Sequence, residues 1–225
     1  MKTEFGNFFA ALLLAFTAAV AHADVPAEPF AADIAGFVEA DRAAMPAPGG
    51  VVFVGSSSIR LWPALAQDFP FVHIVQRGFG GSQLADATRY ADRIVIPYRP
   101  RLVVLYAGDN DINAGRTAQQ VYDDYLAFVA RVRRDLPGQR IAFISIKPSP
   151  ARASQIDTAR AANALIRDHA AKGKGLVFID VFTPMLGPDG APDPGLFGPD
   201  RLHLNAAGYA LWRRLVEPVL RLESR

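Results

Sequence analysis

Short apolar runs alternate with amphipathic segments along most of this chain. Runs typical of strands covered on both faces lie at residues 51–54, 72–75, 102–106, 141–146 and 176–181. Apolar residues recur at helical spacing in segments over residues 34–44, 61–69, 84–96, 121–132, 153–172 and 206–222. Because parallel neighbours need a long connection between them, this order predicts parallel strands linked by helices.

The alternation predicts an α/β fold, a three-layer α/β/α sandwich with a sheet of about five parallel strands. A chain of 225 residues can bury one complete core. It shows no internal repeat or shift in composition, so residues 24–225 are expected to form a single domain. Ligands of such sheets bind beyond the carboxyl ends of the strands, and here the loops after the first four strands are polar.

The N-terminus carries a different pattern. A lysine precedes an apolar run over residues 8–21, and Ala21 and Ala23 supply small side chains at the two positions that a signal peptidase reads. We therefore expect residues 1–23 to be a signal peptide, cleaved before Asp24. The run is too short and too rich in alanine for a transmembrane anchor, so no stable membrane insertion is expected after cleavage. A retained anchor is the alternative. The pattern predicts a periplasmic or secreted bacterial protein.

The amino-acid composition argues against several classes of function. Lysine and arginine number 24 against 22 aspartates and glutamates, and no basic run is interleaved with aromatic residues, so nucleic-acid binding is disfavoured. The chain contains no cysteine, which excludes disulfides, thiolate metal sites and a cysteine nucleophile.

Polar residues follow the first three strands and should meet at one edge of the sheet. Ser57 stands where a crossover helix should begin, although a serine there is also an ordinary helix cap. Gly81 follows the second strand and Asn110 the third, so a backbone N–H and a side-chain amide could donate to an oxyanion at this edge. A plain turn and an Asx turn are the structural alternatives for these two residues.

A base for a serine nucleophile is offered near the C-terminus. Asp200 and His203 stand three residues apart in a loop rich in glycine, proline and aspartate, so the carboxylate can accept a hydrogen bond from the imidazole. Of the four histidines, His22 leaves with the signal, His73 falls in a strand and His169 on a helix. A helix-capping role is the alternative for His203.

Together these segments resemble the SGNH, or GDSL-like, hydrolase family. The four blocks, in the family's order, are Gly55-Ser56-Ser57-Ser58, Gly78-Phe79-Gly80-Gly81, Gly108-Asp109-Asn110-Asp111 and Asp200-Arg201-Leu202-His203. The resemblance implies a flavodoxin-like sandwich with Ser57 as nucleophile, His203 as base and Asp200 as the residue that orients it. It also implies an oxyanion hole formed by the N–H groups of Ser57 and Gly81 and by the Asn110 side chain.

Two positions depart from the family pattern. Ser56 stands where aspartate is usual, so choosing Ser57 over Ser56 or Ser58 as the nucleophile depends on the Gly55-x-Ser57 spacing. Asp109 precedes the oxyanion asparagine where a small or neutral residue is common. Its charge would either disfavour anionic substrates or cap a loop, and we favour the cap.

A metal centre is a further interpretation of the acidic residues. Asp109, Asp111, Asp200 and His203 are of the types that form oxygen-and-imidazole sites. No histidine pair stands at ligand spacing, however, and Asp200 and His203 have complete roles without a metal. We therefore expect neither a metal nor another cofactor.

The residues and the resemblance predict an exported serine esterase that hydrolyses carboxylic esters through an acyl-enzyme intermediate. The short loops and the lack of an apolar lid favour acetyl or other short acyl groups, carried on a small-molecule ester or an acylated carbohydrate. One alternative is a lysophospholipase or thioesterase with a longer acyl pocket, of which Trp62 and Phe79 would form a wall. Another is a catalytically silent ligand-binding protein on the same fold.

The leader pattern generates a first prediction. Protein recovered from the periplasm or medium of an expressing bacterium should begin at Asp24, because Ala21 and Ala23 fit the cleavage site. Mass spectrometry of the exported chain measures this terminus. An intact N-terminal methionine, or cleavage within the α/β region, would contradict it.

Overall fold

Five parallel strands form one sheet in the order β2-β1-β3-β4-β5 in a computed structural model, which describes residues 28–223. The predicted signal peptide over residues 1–23 lies outside the described residues. The strands are β1 (Val51–Gly55), β2 (Ile74–Gly78), β3 (Leu102–Tyr106), β4 (Ile141–Ile144) and β5 (Leu176–Ile179).

Helices cover both faces of this sheet. They are α1 (Ala31–Ala43), α2 (Ser57–Arg60), α3 (Leu65–Asp68), α4 (Leu84–Arg89), α5 (Ala91–Ile94), α6 (Asp109–Asn113), α7 (Ala118–Asp135), α8 (Ile156–Ala170) and α9 (Ala206–Glu223). Successive side chains of β1 enter opposite cores, as the period of a strand requires. Val52 and Val54 pack with α1, α4, α5, α7 and α8, whereas Val51 and Phe53 pack with α2, α3 and α9. The predicted three-layer α/β/α sandwich is confirmed.

The second strand begins two residues later than predicted. It occupies Ile74–Gly78 rather than residues 72–75, and so it contains two polar residues. The Gln76 amide donates to a backbone carbonyl of α2 at 2.6 Å, and the Arg77 guanidinium pairs with Asp41 of α1. Both polar side chains find hydrogen-bond or ion-pair partners on other elements. The pattern of apolar residues along the chain does not show such partners, so these two residues were not assigned to the strand.

Three predicted helices are also shorter or divided. In the segment over residues 61–69 only α3 (Leu65–Asp68) is helical, and it begins after Pro63, which has no N–H to continue a helix. The segment over residues 84–96 is divided into α4 and α5, and the helix predicted from residue 153 begins at Ile156 after the 3₁₀ turn Pro150–Gln155. These corrections leave the predicted alternation of strands and helices unchanged.

One buried carboxylate, that of Asp111, binds the start of helix α4. Asp111, on α6, is fully buried, and its Oδ1 accepts a hydrogen bond of 3.0 Å from the backbone N–H of Leu84 at the start of α4. Burial raises the pKa of Asp111 to about 6. The native state therefore binds this proton more tightly than the unfolded chain, whose aspartates titrate near pH ~3.9. Its contribution to stability is complete below that pH and is lost as the pH rises to about 6.

The direction of this pH dependence of stability leads to a second prediction. In Asp111→Asn, a neutral amide keeps the acceptor for Leu84 but no longer titrates. The free energy of unfolding of the variant, relative to wild type, should increase from pH 4 to pH 6 and then level off. The increase should be at most about 3 kcal/mol, at ~1.4 kcal/mol for each pKa unit.

Urea denaturation at pH 4, 5, 6 and 7 measures this difference. Asp123→Asn, which removes an exposed carboxylate from α7, is the matched control. A difference between Asp111→Asn and wild type that is constant over this range would contradict the prediction.

Candidate active site

The serine at the end of β1 is presented by a close backbone contact. Gly55 has φ of 131°, and a Cβ built on it would lie 1.8 Å from the carbonyl oxygen of Tyr106 in β3. Only glycine fits such an approach. The chain then passes through Ser56, whose N–H donates to the same carbonyl at 2.9 Å, and Ser57 opens α2. Ser57 is thereby held at the carboxyl edge of the sheet, where ligands of this architecture bind.

Ser57 and two side chains of a loop near the C-terminus form a hydrogen-bonded chain at this edge. His203 Nε2 lies 3.0 Å from Ser57 Oγ, and His203 Nδ1 lies 2.6 Å from Asp200 Oδ2. The structure therefore places Ser57 against the imidazole, whereas Ser56 and Ser58 are enclosed at 0% and 1% exposure. A hydroxyl, an imidazole and a carboxylate in this order can activate a nucleophile.

The carboxylate of this chain is held by its own loop. Asp200 Oδ1 accepts from the backbone N–H groups of Leu202 and His203, both at 3.0 Å. The Leu202 N–H, followed by the His203 imidazole, holds the pKa of Asp200 well below its usual range. Arg201 between them adopts φ of 58°, and its carbonyl accepts from the Ala151 N–H at 3.0 Å. Asp200 thus remains ionised and aimed at His203.

The residues expected to hold an oxyanion come to the same edge. Ser57 is the first residue of α2, so its N–H has no acceptor within the helix. Gly81 has φ of 83° in the loop after β2. Asn110, on α6, donates through Nδ2 to the Ser82 carbonyl at 3.0 Å, and its Oδ1 accepts from Arg152 Nη2 at 3.0 Å. One hydrogen of the amide is left to donate to a reacting oxygen.

A buried charge cluster lies directly behind Asn110. The Asp109 carboxylate pairs with Lys147 Nζ at 2.8 Å and lies 3.1 Å from Arg152 Nη1. Lys147 also donates to the Tyr106 hydroxyl at 3.1 Å. The favoured interpretation of Asp109 as a loop cap is wrong, because its side chain forms these buried pairs and Gly108 occupies the capping position.

Both members of the inner pair are charged. Burial alone would raise the pKa of Asp109, but Lys147 and Arg152 lower it below its ordinary value. Burial would likewise lower the pKa of Lys147, but Asp109 and Tyr106 raise it above its ordinary value. Two cations and one anion leave one net positive charge beside Asn110.

Comparison with known protein families identifies the family of this chain. The model of the GDSL-like Lipase/Acylhydrolase family matches residues 49–211, a span that runs from β1 past His203. The chain belongs to this family. The predicted resemblance is confirmed, and the GDSL-like protein is an enzyme, a carboxylic ester hydrolase.

Solved structures share the fold of this GDSL-like chain. One from Streptococcus pneumonia, provisionally described as a platelet activating factor, has a TM-score of 0.74 at 22% identity and covers 84% of this chain and 91% of its own. A GDSL-like lipase from Bacteroides thetaiotaomicron has a TM-score of 0.69 at 21% identity, with 84% and 98% covered. A family 3 carbohydrate esterase from Clostridium thermocellum has a TM-score of 0.61 at 15% identity, with 79% and 100% covered. The comparison with curated protein sequences finds no match.

The acidic residues considered as metal ligands are separated in the GDSL-like structure. Asp111 lies beneath α4, Asp109 is paired with Lys147, and Asp200 holds His203. Within residues 28–223, no three histidine, cysteine, aspartate or glutamate side chains are grouped so that they could hold a metal.

The aromatic residues considered as an acyl-pocket wall are core residues. Trp62 and Phe79 are 1% and 0% exposed, so neither offers surface to a long acyl chain. Trp62 packs among the rings of Phe53, Tyr209 and Trp212, and Phe79 packs against Phe30 and Tyr90.

Sequence reasoning missed Lys147 and Arg152. One signal was available, since Lys147 follows a buried apolar strand directly and its own loop over residues 147–150 contains no acid to pair with it. Asp109 lies in the loop after another apolar run, residues 102–106, so both charges could have been assigned from the sequence to one edge of the sheet.

The catalytic roles stay a prediction, and the geometry makes them testable. A fluorophosphonate should attach to Ser57, because Ser57 Oγ is the hydroxyl beside His203 Nε2. Labelling should slow by at least about a hundredfold in His203→Ala, which removes the base, and by less in Asp200→Asn, which keeps the imidazole.

Peptide mapping of the adduct and the rate of labelling are the measurements. His169→Ala, on α8, is the matched histidine control and should label at the wild-type rate. An adduct on Ser56 or Ser58 would contradict the assignment of Ser57 as the nucleophile. An unchanged rate in His203→Ala would contradict the assignment of His203 as its base.

Proposed function

We propose that this family member is an exported serine esterase that removes acetyl or other short acyl groups from a small-molecule ester or an acylated carbohydrate. The observation that supports it is the hydrogen-bonded chain from Ser57 through His203 to Asp200. An unreactive binding protein has no need of a hydroxyl aligned on an imidazole that is itself held by an ionised carboxylate.

The proposed reaction passes through an acyl-enzyme. Ser57 Oγ attacks the ester carbonyl while His203 Nε2 takes its proton, and the Asp200 carboxylate stabilises the imidazolium that forms. The oxyanion of the tetrahedral intermediate accepts hydrogen bonds from the N–H groups of Ser57 and Gly81 and from Asn110. The intermediate collapses, the C–O bond of the ester breaks, and His203 donates its proton to the leaving alcohol. A water molecule then repeats these steps on the acyl group and releases the acid.

The surroundings of Ser57 support a short acyl group. Trp62 and Phe79 are enclosed in the core, so neither of these two rings forms a wall that a long acyl chain could contact. The Clostridium thermocellum protein that shares the fold is a carbohydrate esterase, which is in keeping with an acylated sugar as substrate.

Export is supported by the leader pattern. Residues 1–23 have the basic start, the apolar run and the small-residue cleavage site of a signal peptide. Over residues 28–223, no helix has the length and apolar character needed to span a membrane. We place the mature enzyme in the bacterial periplasm or medium.

A series of p-nitrophenyl esters with acyl chains of two to sixteen carbons tests the proposal. We expect kcat/KM to be highest for acetate and to fall at least about tenfold by eight carbons, since a chain that does not fit a short site displaces the ester carbonyl from Ser57 Oγ. Ser57→Ala is the control and should be inactive on every ester.

The outcomes separate the alternatives. A kcat/KM that rises toward twelve to sixteen carbons would make the enzyme a lysophospholipase or thioesterase. Wild-type turnover no faster than that of Ser57→Ala on the whole series would indicate a silent binding protein.

A further inference from the structure

The buried charge cluster of Asp109, Lys147 and Arg152 has no part in the Ser57–His203–Asp200 chain, yet it reaches the oxyanion hole. Its outer member is Arg152, which lies in the 3₁₀ turn between β4 and α8 and has a side chain 15% exposed. One nitrogen of the guanidinium, Nη1, faces the Asp109 carboxylate at 3.1 Å, and the other, Nη2, donates to Asn110 Oδ1 at 3.0 Å. Arg152 therefore joins the cluster to Asn110.

The contact decides which way the Asn110 amide points. An arginine side chain has donors and no acceptor, so it can bind Asn110 through the oxygen but not through the NH₂ group. With Oδ1 held by Arg152, Nδ2 is directed to the opposite side, where it donates to the Ser82 carbonyl and keeps one free hydrogen. A rotation of the amide by 180° would place its NH₂ group against the guanidinium.

The cluster also decides how much of the Arg152 charge is felt at Asn110. Lys147 is 3% exposed and pairs with the same carboxylate oxygen, Asp109 Oδ2, that faces Arg152. Asp109 is therefore shared by two cations and neutralises one of them. The remaining positive charge lies on the side of the oxyanion, in a site of low exposure where electrostatic attraction is weakly screened.

We propose that Arg152 is a positioning residue, which holds the Asn110 amide with an N–H toward the oxyanion and strengthens that donor by its charge. The inference rests on the proposed function, since it requires that Asn110 stabilise an oxyanion. Arg152 acts on the transition state through Asn110, so its loss should lower kcat and leave KM nearly unchanged.

A double-mutant cycle between Arg152→Met and Asn110→Ala tests the proposal on p-nitrophenyl acetate. Removing an oxyanion donor typically lowers kcat by about a hundredfold to a thousandfold, which is the expected effect of Asn110→Ala. Arg152→Met, which leaves the Lys147 pair with Asp109 in place, should lower kcat by about tenfold to a hundredfold and change KM less than about threefold. In the Asn110→Ala background, Arg152→Met should lower kcat less than about threefold further.

Two more variants keep the test independent of folding. Arg152→Lys retains a charge that can pair with Asp109 but lacks the planar fork that reaches Asp109 and Asn110 together, so its kcat should lie between those of wild type and Arg152→Met. Arg160→Met, which removes an exposed arginine stacked on Phe182, is the matched control and should have wild-type kcat. Thermal unfolding of each variant verifies that the compared proteins are folded.

The outcomes that would overturn the inference are distinct. An equal loss of kcat from Arg152→Met with and without Asn110 would show that Arg152 does not act through the amide. A raised KM with unchanged kcat would make Arg152 a substrate-binding residue instead. Wild-type kcat in Asn110→Ala itself would refute the oxyanion role in the proposed function, a result that is read without any Arg152 variant.

Discussion

The contact between the Gly55 backbone and the Tyr106 carbonyl is the constraint on which the site depends. It brings the ends of β1 and β3 so close that no side chain fits between them, and the same carbonyl accepts the N–H of Ser56. The turn into α2 is thereby determined, and Ser57 is presented to His203 from a rigid strand end. Asn110 follows β3, the strand that supplies that carbonyl, so the positions of Ser57 and Asn110 depend on the same pair of strand ends.

The segment after β4 connects the other parts of the site to this support. Arg152 binds the Asn110 side chain, and the neighbouring Ala151 N–H donates to the carbonyl of Arg201 inside the loop of Asp200 and His203. Lys147, at the start of the segment, is anchored in the interior by Asp109 and the Tyr106 hydroxyl. One short connection thus contacts both Asn110 and the loop of Asp200 and His203, and its buried charges are stable because each has an opposite partner.

The two aspartates of the segment Gly108-Asp109-Asn110-Asp111 are both buried, but burial affects their ionisation differently. Asp109 is stabilised as an anion by Lys147 and Arg152, whereas burial raises the pKa of Asp111, whose carboxylate accepts from the Leu84 N–H. The two residues are neighbours of Asn110 on either side and have the same side chain. Their environments differ because one points to the strand end of β4 and the other beneath α4.

The sequence by itself was sufficient for the parallel sheet and for the candidate triad. Strands buried on both faces are continuous apolar runs, and β3 was predicted with its observed bounds, Leu102–Tyr106. Asp200 and His203 are three residues apart, so their hydrogen bond is a local property of one loop. Ser57 could be selected from three serines because of its spacing from Gly55.

Tertiary structure alone decided the partners of polar groups that lie far apart in the chain. Asp109 and Lys147 are 38 residues apart, and Asn110 and Arg152 are 42 apart. Such pairs leave no periodic signal, because their spacing depends on the lengths of the connections between strands. The bounds of β2 were predicted wrongly for the same reason. Its polar residues Gln76 and Arg77 have partners on other elements, which the local sequence does not show. Local pattern therefore predicted the alternation of strands and helices, the family resemblance supplied the candidate triad, and long-range packing decided which charges lie beside it.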